Sequence, residues 1–110
     1  MSRRPCPRPS PLEEGAPRPR FDLEFATSAA EKKWELLIRE RLTEMTECWD
    51  HLSQTPSSPK PRRSGPLQGK YKPYGWWQFE VGPKQRVFYE IVDSTVRILH
   101  VYTSHPKGTE

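Results

Sequence analysis

The stretch that decides the fold runs from Gly75 to Ser104, GWWQFEVGPKQRVFYEIVDSTVRILHVYTS. Three runs rich in aromatic and β-branched residues are separated by breaks of turn composition. Gly82-Pro83-Lys84-Gln85 divides the first run from the second, and Asp93-Ser94 divides the second from the third. Breaks this short join antiparallel neighbours, because a parallel crossover needs about a dozen residues or more. The spacing predicts a three-stranded meander with strands at Gly75–Val81, Arg86–Val92 and Thr95–Thr103. Alternation puts Trp77, Phe79 and Val81 on one face of the first strand and Trp76, Gln78 and Glu80 on the other. On the second strand, Val87, Tyr89 and Ile91 oppose Arg86, Phe88, Glu90 and Val92. One face reads as core. The other, with Gln78, Glu80, Arg86 and Glu90 among aromatics, is the candidate functional face. The third strand is apolar on both sides, as a central or covered strand is.

Upstream, Leu67–Lys72 leads into the meander, and Pro56–Pro66 (PSSPKPRRSGP) is a loop by composition with a basic cluster at Lys60, Arg62 and Arg63. Before it lies a helical pattern. Ser28 and Glu31 have the spacing of an S-x-x-E capping box. Trp34, Ile38, Leu42, Met45, Trp49 and Leu52 follow at three- and four-residue steps, a stripe that faces a core rather than a ligand. The pattern is one long helix, or two with a break near Leu37–Arg41, and Pro56 ends it. Phe21–Thr27 alternates apolar and polar residues and is read as a fourth strand, joining the edge or the centre of the meander. Residues 1–20 are dense in proline and arginine with little apolar content, and are expected to be a disordered basic tail ahead of a single domain over 21–110. The fold class is α+β: a small antiparallel sheet, made of the N-terminal strand and the meander, packed against one long or two short helices.

The 110 residues suffice for one domain, and the formal charge of +4 suits an anionic partner such as nucleic acid, or an acidic protein. Cys6 and Cys48 are too few and too far apart for a disulfide framework or a paired-cysteine metal site, so both are expected to be plain thiols in a reducing compartment. No apolar run approaches the ~18 residues of a membrane span, and the N-terminus lacks a signal-peptide core. No membrane partner and a cytoplasmic location are expected.

The order strand, helical segment, basic loop, meander resembles the RelE/ParE superfamily of toxins from bacterial toxin–antitoxin systems. The resemblance covers the chain from about Arg20 onward. It is carried by Leu67-Gln68-Gly69, where the family often shows Leu-Lys-Gly, and by Arg86-Val87-Phe88-Tyr89-Glu90-Ile91, which is similar to the family's Arg-hydrophobic-hydrophobic-Tyr-x-hydrophobic strand. Asp93 marks the turn, Val96–Val101 the last strand, and His105-Pro106-Lys107 a terminus where many members place basic or histidine residues.

The resemblance implies a ribosome-dependent messenger-RNA endoribonuclease that uses no metal or other cofactor and is neutralised by a cognate antitoxin. DNA enters only indirectly, through an antitoxin complex. In such a site the RNA's own 2′-hydroxyl attacks the neighbouring phosphate, which calls for a base, an acid and cations. Arg86 takes the position of the phosphate-binding arginine, and its fork of donors fits a phosphate. His105 resembles the C-terminal histidine used as an acid, and Glu80 on the polar face is the candidate base. Lys107, Lys70, Lys72, Trp76, Gln78 and Tyr102 are the candidate RNA contacts. The pattern departs from RelE at Gln78 and Glu80, where RelE carries lysines. A ParE-like toxin that binds a protein target such as DNA gyrase, or an inactive partner of an antitoxin, shares the same scaffold. Each candidate also has a plainer role: Arg86 pairing with Glu80 across the hairpin, Trp76 packing in a core, His100 as a structural strand residue and His51 as a solvated helix residue.

Overall fold

The computed structural model describes residues 4–58 and 64–103. Its order is β1 (Asp22–Phe25), α1 (Ser28–Glu40), α2 (Leu42–Gln54), β2 (Ser64–Pro66), a 3-10 helix (Gly69–Tyr74), β3 (Trp77–Glu80), β4 (Arg86–Val92) and β5 (Thr95–Tyr102). The meander forms with the expected antiparallel pairing. The α+β class holds, and two features of the sheet differ from expectation. β1 joins the free side of β5 in parallel, so the five-stranded sheet, ordered β1-β5-β4-β3-β2, is mixed. Both helices and three strands intervene between β1 and β5, which removes the short-connection argument for antiparallel pairing. Ser64–Pro66 adds a strand to the edge of β3. Ser-Gly-Pro carries no hydrophobic alternation, and an edge is where a sheet tolerates proline.

Both helices cover one face. Trp34, Leu37, Met45, Cys48 and Leu52 are buried with Leu23, Phe25, Phe79, Val87, Tyr89, Val96, Ile98 and Val101 in one core. Tyr89 spends its hydroxyl inside this layer, donating to the Pro56 carbonyl at 2.7 Å, and burial raises its pKa. The helical pattern breaks at Arg41, within the expected interval. Its N–H donates to the Leu37 carbonyl at 2.7 Å, and its own carbonyl accepts from Met45 at 2.9 Å, so one non-helical residue closes α1 and opens α2. The capping box does not form. Thr27 is still extended, which makes Ser28 the first helical residue, and Thr27 Oγ1 accepts from the Ala30 N–H at 3.1 Å. Glu31 instead meets Arg4 at 3.2 Å.

Residues 4–20, which composition gave no reason to order, lie against the helices and the β1 edge. Pro5 bridges Glu24 in antiparallel fashion, and Cys6 is buried. The Trp49 indole donates to the Cys6 carbonyl at 2.8 Å. Arg8 grips both carboxylate oxygens of Asp50 at 2.9 and 3.0 Å, and the Arg20 and Phe21 N–H groups meet the Ser53 carbonyl at the end of α2. Most of these partners are backbone groups, invisible to a count of apolar residues. The cluster of Lys60, Arg62 and Arg63 lies outside the described residues. Among the described residues no helix is long and apolar enough to cross a membrane.

Leu36 and Leu37 are sequence neighbours on opposite sides of α1, one 49 % exposed and the other fully buried. Leu37→Ala is expected to cost about 3 kcal/mol in chemical denaturation. Leu36→Ala should cost less than about 0.5 kcal/mol in the same assay.

Candidate nucleic-acid interface and active site

The sheet face away from the helices is built in rows. His100 of β5, Phe88 of β4, Gln78 of β3 and Gly65 of β2 form one row, and Tyr102, Arg86 and Glu80 form the next. Toward the other end, Arg97 of β5 lies between Glu24 of β1 and Glu90 of β4, donating to Glu90 at 3.0 Å. His100 and Tyr102 owe their place to a β-bulge. Tyr89 pairs with Ile98 but Phe88 pairs with His100, so Leu99 is an extra residue and alternation resets beyond it. Strict alternation from the Asp93-Ser94 turn would have sent His100 and Tyr102 into the core and Val101 outward. Val101 is instead buried and His100 exposed.

The segment before β3 folds over this face. The 3-10 helix ends on Gly75, whose positive φ of 69° suits glycine and whose N–H donates to the Lys72 carbonyl at 3.2 Å. This brings Tyr71 edge-on to Phe88 at 5.5 Å between ring centroids and stacks Tyr71 and Tyr74 on Trp76 at 5.8 and 4.9 Å. Trp76 lies 5.8 Å from His100, and Tyr102 lies 5.0 Å from Phe88 and 6.0 Å from His100. Phe88 is only 2 % exposed although it points away from the helices. It is the floor of an aromatic cluster, and the His100 imidazole stands at its rim.

Arg86 borders the cluster through the next row. Its Nη1 donates to the carbonyls of Gly82 at 2.9 Å, Gln85 at 3.1 Å and Pro83 at 3.3 Å, holding the β3–β4 turn. Nη2 lies 3.7 Å from Glu80 Oε1. From the helix side Arg41 presses on the same turn: a β-carbon on Gly82 would come within 2.8 Å of its guanidinium. A bulkier residue at position 82 would have to displace both that arginine and the Gln85 side chain.

Electrostatics favour a neutral imidazole. Burial, and secondarily the Lys33 ammonium, hold the His100 pKa below its usual 6.5. At pH 7 the ring therefore has a nitrogen lone pair available to accept a proton. Tyr102 is shifted the other way, its phenol pKa raised first by burial and then by Tyr71, so it keeps its proton. An acceptor and a donor thus stand on one aromatic surface beside a fixed guanidinium. Among the described residues no three His, Cys, Asp or Glu side chains are grouped to hold a metal ion.

No protein-family model and no curated protein matches the sequence. Solved structures do match. The YoeB–YefM complex of Staphylococcus aureus superposes with a TM-score of 0.59 at 12 % identity, over 78 % of this chain and 99 % of that one. A copper-bound mutant toxin from Helicobacter pylori gives 0.57 at 19 % identity, over 76 % and 92 %. The E. coli DinJ–YafQ toxin–antitoxin complex gives 0.54 at 22 % identity, over 74 % and 90 %. The chain has the RelE/ParE toxin fold.

On that fold, Arg86, Glu80, Gln78 and Trp76 share the outer face, as expected from alternation, and Tyr102 joins them through the bulge. Lys70 and Lys72 are exposed on the 3-10 helix over its edge, with Lys70 Nζ 5.1 Å from the centre of the Tyr71 ring. His105 and Lys107 lie outside the described residues. Two histidines are placed differently from their sequence reading. His100 joins the site, and only the bulge puts it there, which a regular period of two conceals. His51 is not simply solvated: it packs at 5.5 Å against Phe79, with Nε2 3.0 Å from Ser64 Oγ, tying α2 to β2.

In an NMR titration the His100 imidazole should show its midpoint below 6.5, since both causes disfavour the charged form. Lys33→Ala should raise that midpoint only part of the way back, because burial is the larger cause.

Proposed function

We propose that this chain is the toxin of a toxin–antitoxin pair, a metal-independent endoribonuclease that cuts messenger RNA on the ribosome. The observation that carries the reading is the exposed, neutral His100 on its aromatic floor, one row from the Arg86 guanidinium. Solved complexes of this fold, DinJ–YafQ and YoeB–YefM, support an antitoxin partner.

In this reading His100 accepts the proton of the RNA 2′-hydroxyl. The 2′ oxygen forms its bond to phosphorus and the bond from phosphorus to the 5′ oxygen breaks, leaving a cyclic phosphate and a free 5′-hydroxyl. Arg86, fixed by three turn carbonyls, holds positive charge beside the phosphate without reorganising. Glu80, the carboxylate read from the sequence as a base, is assigned to keep Arg86 in place, and proton acceptance passes to His100. Tyr102 donates to a phosphate oxygen. His105 retains the role of acid toward the departing 5′ oxygen, and Gln78, Lys70, Lys72 and Lys107 line the RNA path.

The test is expression of the chain with growth and messenger cleavage followed together. Wild type should arrest growth and cut ribosome-bound messenger, and His100→Ala should lower the cleavage rate by about 10²–10⁴-fold while remaining folded. Undiminished cleavage by His100→Ala would remove the imidazole from the mechanism. Growth arrest without any RNA cleavage would instead favour a ParE-like toxin acting on a protein target.

A further inference from the structure

The 3-10 helix carries an aromatic ring that the fold does not use. Tyr71 is half-buried over Phe88 and Trp76 is half-buried against Tyr71 and His100, and their packing explains them. Tyr74 is different. It is 63 % exposed, more than any other large apolar side chain among the described residues, and its ring contact is with Trp76 at 4.9 Å and 29°. Its backbone is nonetheless fixed, by Pro73 inside the 3-10 helix and by the left-handed Gly75 after it. A rigid, solvent-facing aromatic plane two ring contacts from His100, through Trp76, is a surface for stacking rather than part of a core. Charge selects what stacks. Exposed Lys70 and Lys72 alternate with the tyrosines in Lys70-Tyr71-Lys72-Pro73-Tyr74, in a chain of net charge +4. Aromatic planes interleaved with cations suit unpaired bases on an anionic backbone.

We infer that Tyr74 is the stacking platform for an unpaired base flanking the scissile phosphate, with Lys70 and Lys72 engaging the adjacent backbone phosphates. The assignment rests on the nuclease reading above and extends it to single-stranded RNA gripped on the side of the site away from Arg86. Stacking reads a base's flat face, so the subsite distinguishes single-stranded from duplex RNA more than one base from another.

The experiment measures binding of a fully 2′-O-methylated single-stranded RNA oligonucleotide, which cannot be cleaved, alongside cleavage of ribosome-bound messenger by the same proteins. Tyr74→Leu should weaken oligonucleotide binding about 10-fold, the scale of one lost stack, whereas Tyr74→Phe should stay within about 2-fold of wild type. An otherwise identical oligonucleotide lacking bases should bind wild type and Tyr74→Leu alike. The proposal is overturned if Tyr74→Leu binds the intact oligonucleotide as wild type does. It is also overturned if removing the bases leaves wild-type affinity unchanged. In either case, continued cleavage by wild type and its loss in His100→Ala would leave the nuclease assignment standing. A wild-type protein that neither binds nor cuts RNA would overturn both.

Discussion

Between the pairs Tyr89–Ile98 and Phe88–His100, strand β5 holds one residue more than β4. Side-chain direction alternates with a strict period of two, so a single inserted residue exchanges the two faces for everything beyond it. Before Leu99, Val96 and Ile98 face the helices; after it, Val101 does, and His100 and Tyr102 turn outward. The core keeps an unbroken set of branched apolar side chains. The other face gains an imidazole and a phenol beside Phe88 and Arg86. Structural economy and chemical placement are both settled by this register step.

The outer face is also more than an open sheet surface. Tyr71 of the 3-10 helix packs on Phe88 from the solvent side, with His100 and Tyr102 beside it, so the sheet is packed on both faces near β4 while the rim stays accessible. That partial cover lowers the His100 pKa, while the β3–β4 turn keeps Arg86 among backbone carbonyls instead of free in water. The opposite layer supplies rigidity. Arg41, the single residue between the helices, reaches the same β3–β4 turn that Arg86 holds, so both layers meet at the border of the site.

Much of this was legible in the sequence. The meander, its two faces and the outward placement of Arg86, Glu80, Gln78 and Trp76 follow from period and turn chemistry, and the break at Arg41 falls in the interval left open for one. What escaped has identifiable causes. The parallel pairing of β1 depends on tertiary placement of a strand too far along the chain for connection length to decide. β2 is three residues of Ser-Gly-Pro, held by its ladder to β3 and by Ser64 to His51, with no apolar alternation to mark it. The packing of residues 4–20 depends on Arg8 gripping Asp50 and Trp49 reaching a carbonyl, contacts that low apolar content does not forecast. His100 escaped because a bulge has no compositional mark within VRILHVY, where every neighbour suits either face.

The most direct measurement is the set of cross-strand proton contacts between β4 and β5 in solution by NMR. Phe88 should stand opposite His100 and Tyr89 opposite Ile98, with Leu99 unpaired between them and the His100 ring in contact with Trp76. An uninterrupted ladder placing Phe88 opposite Leu99 and Val87 opposite His100, with the imidazole among the helix-facing side chains, would contradict the account at its root.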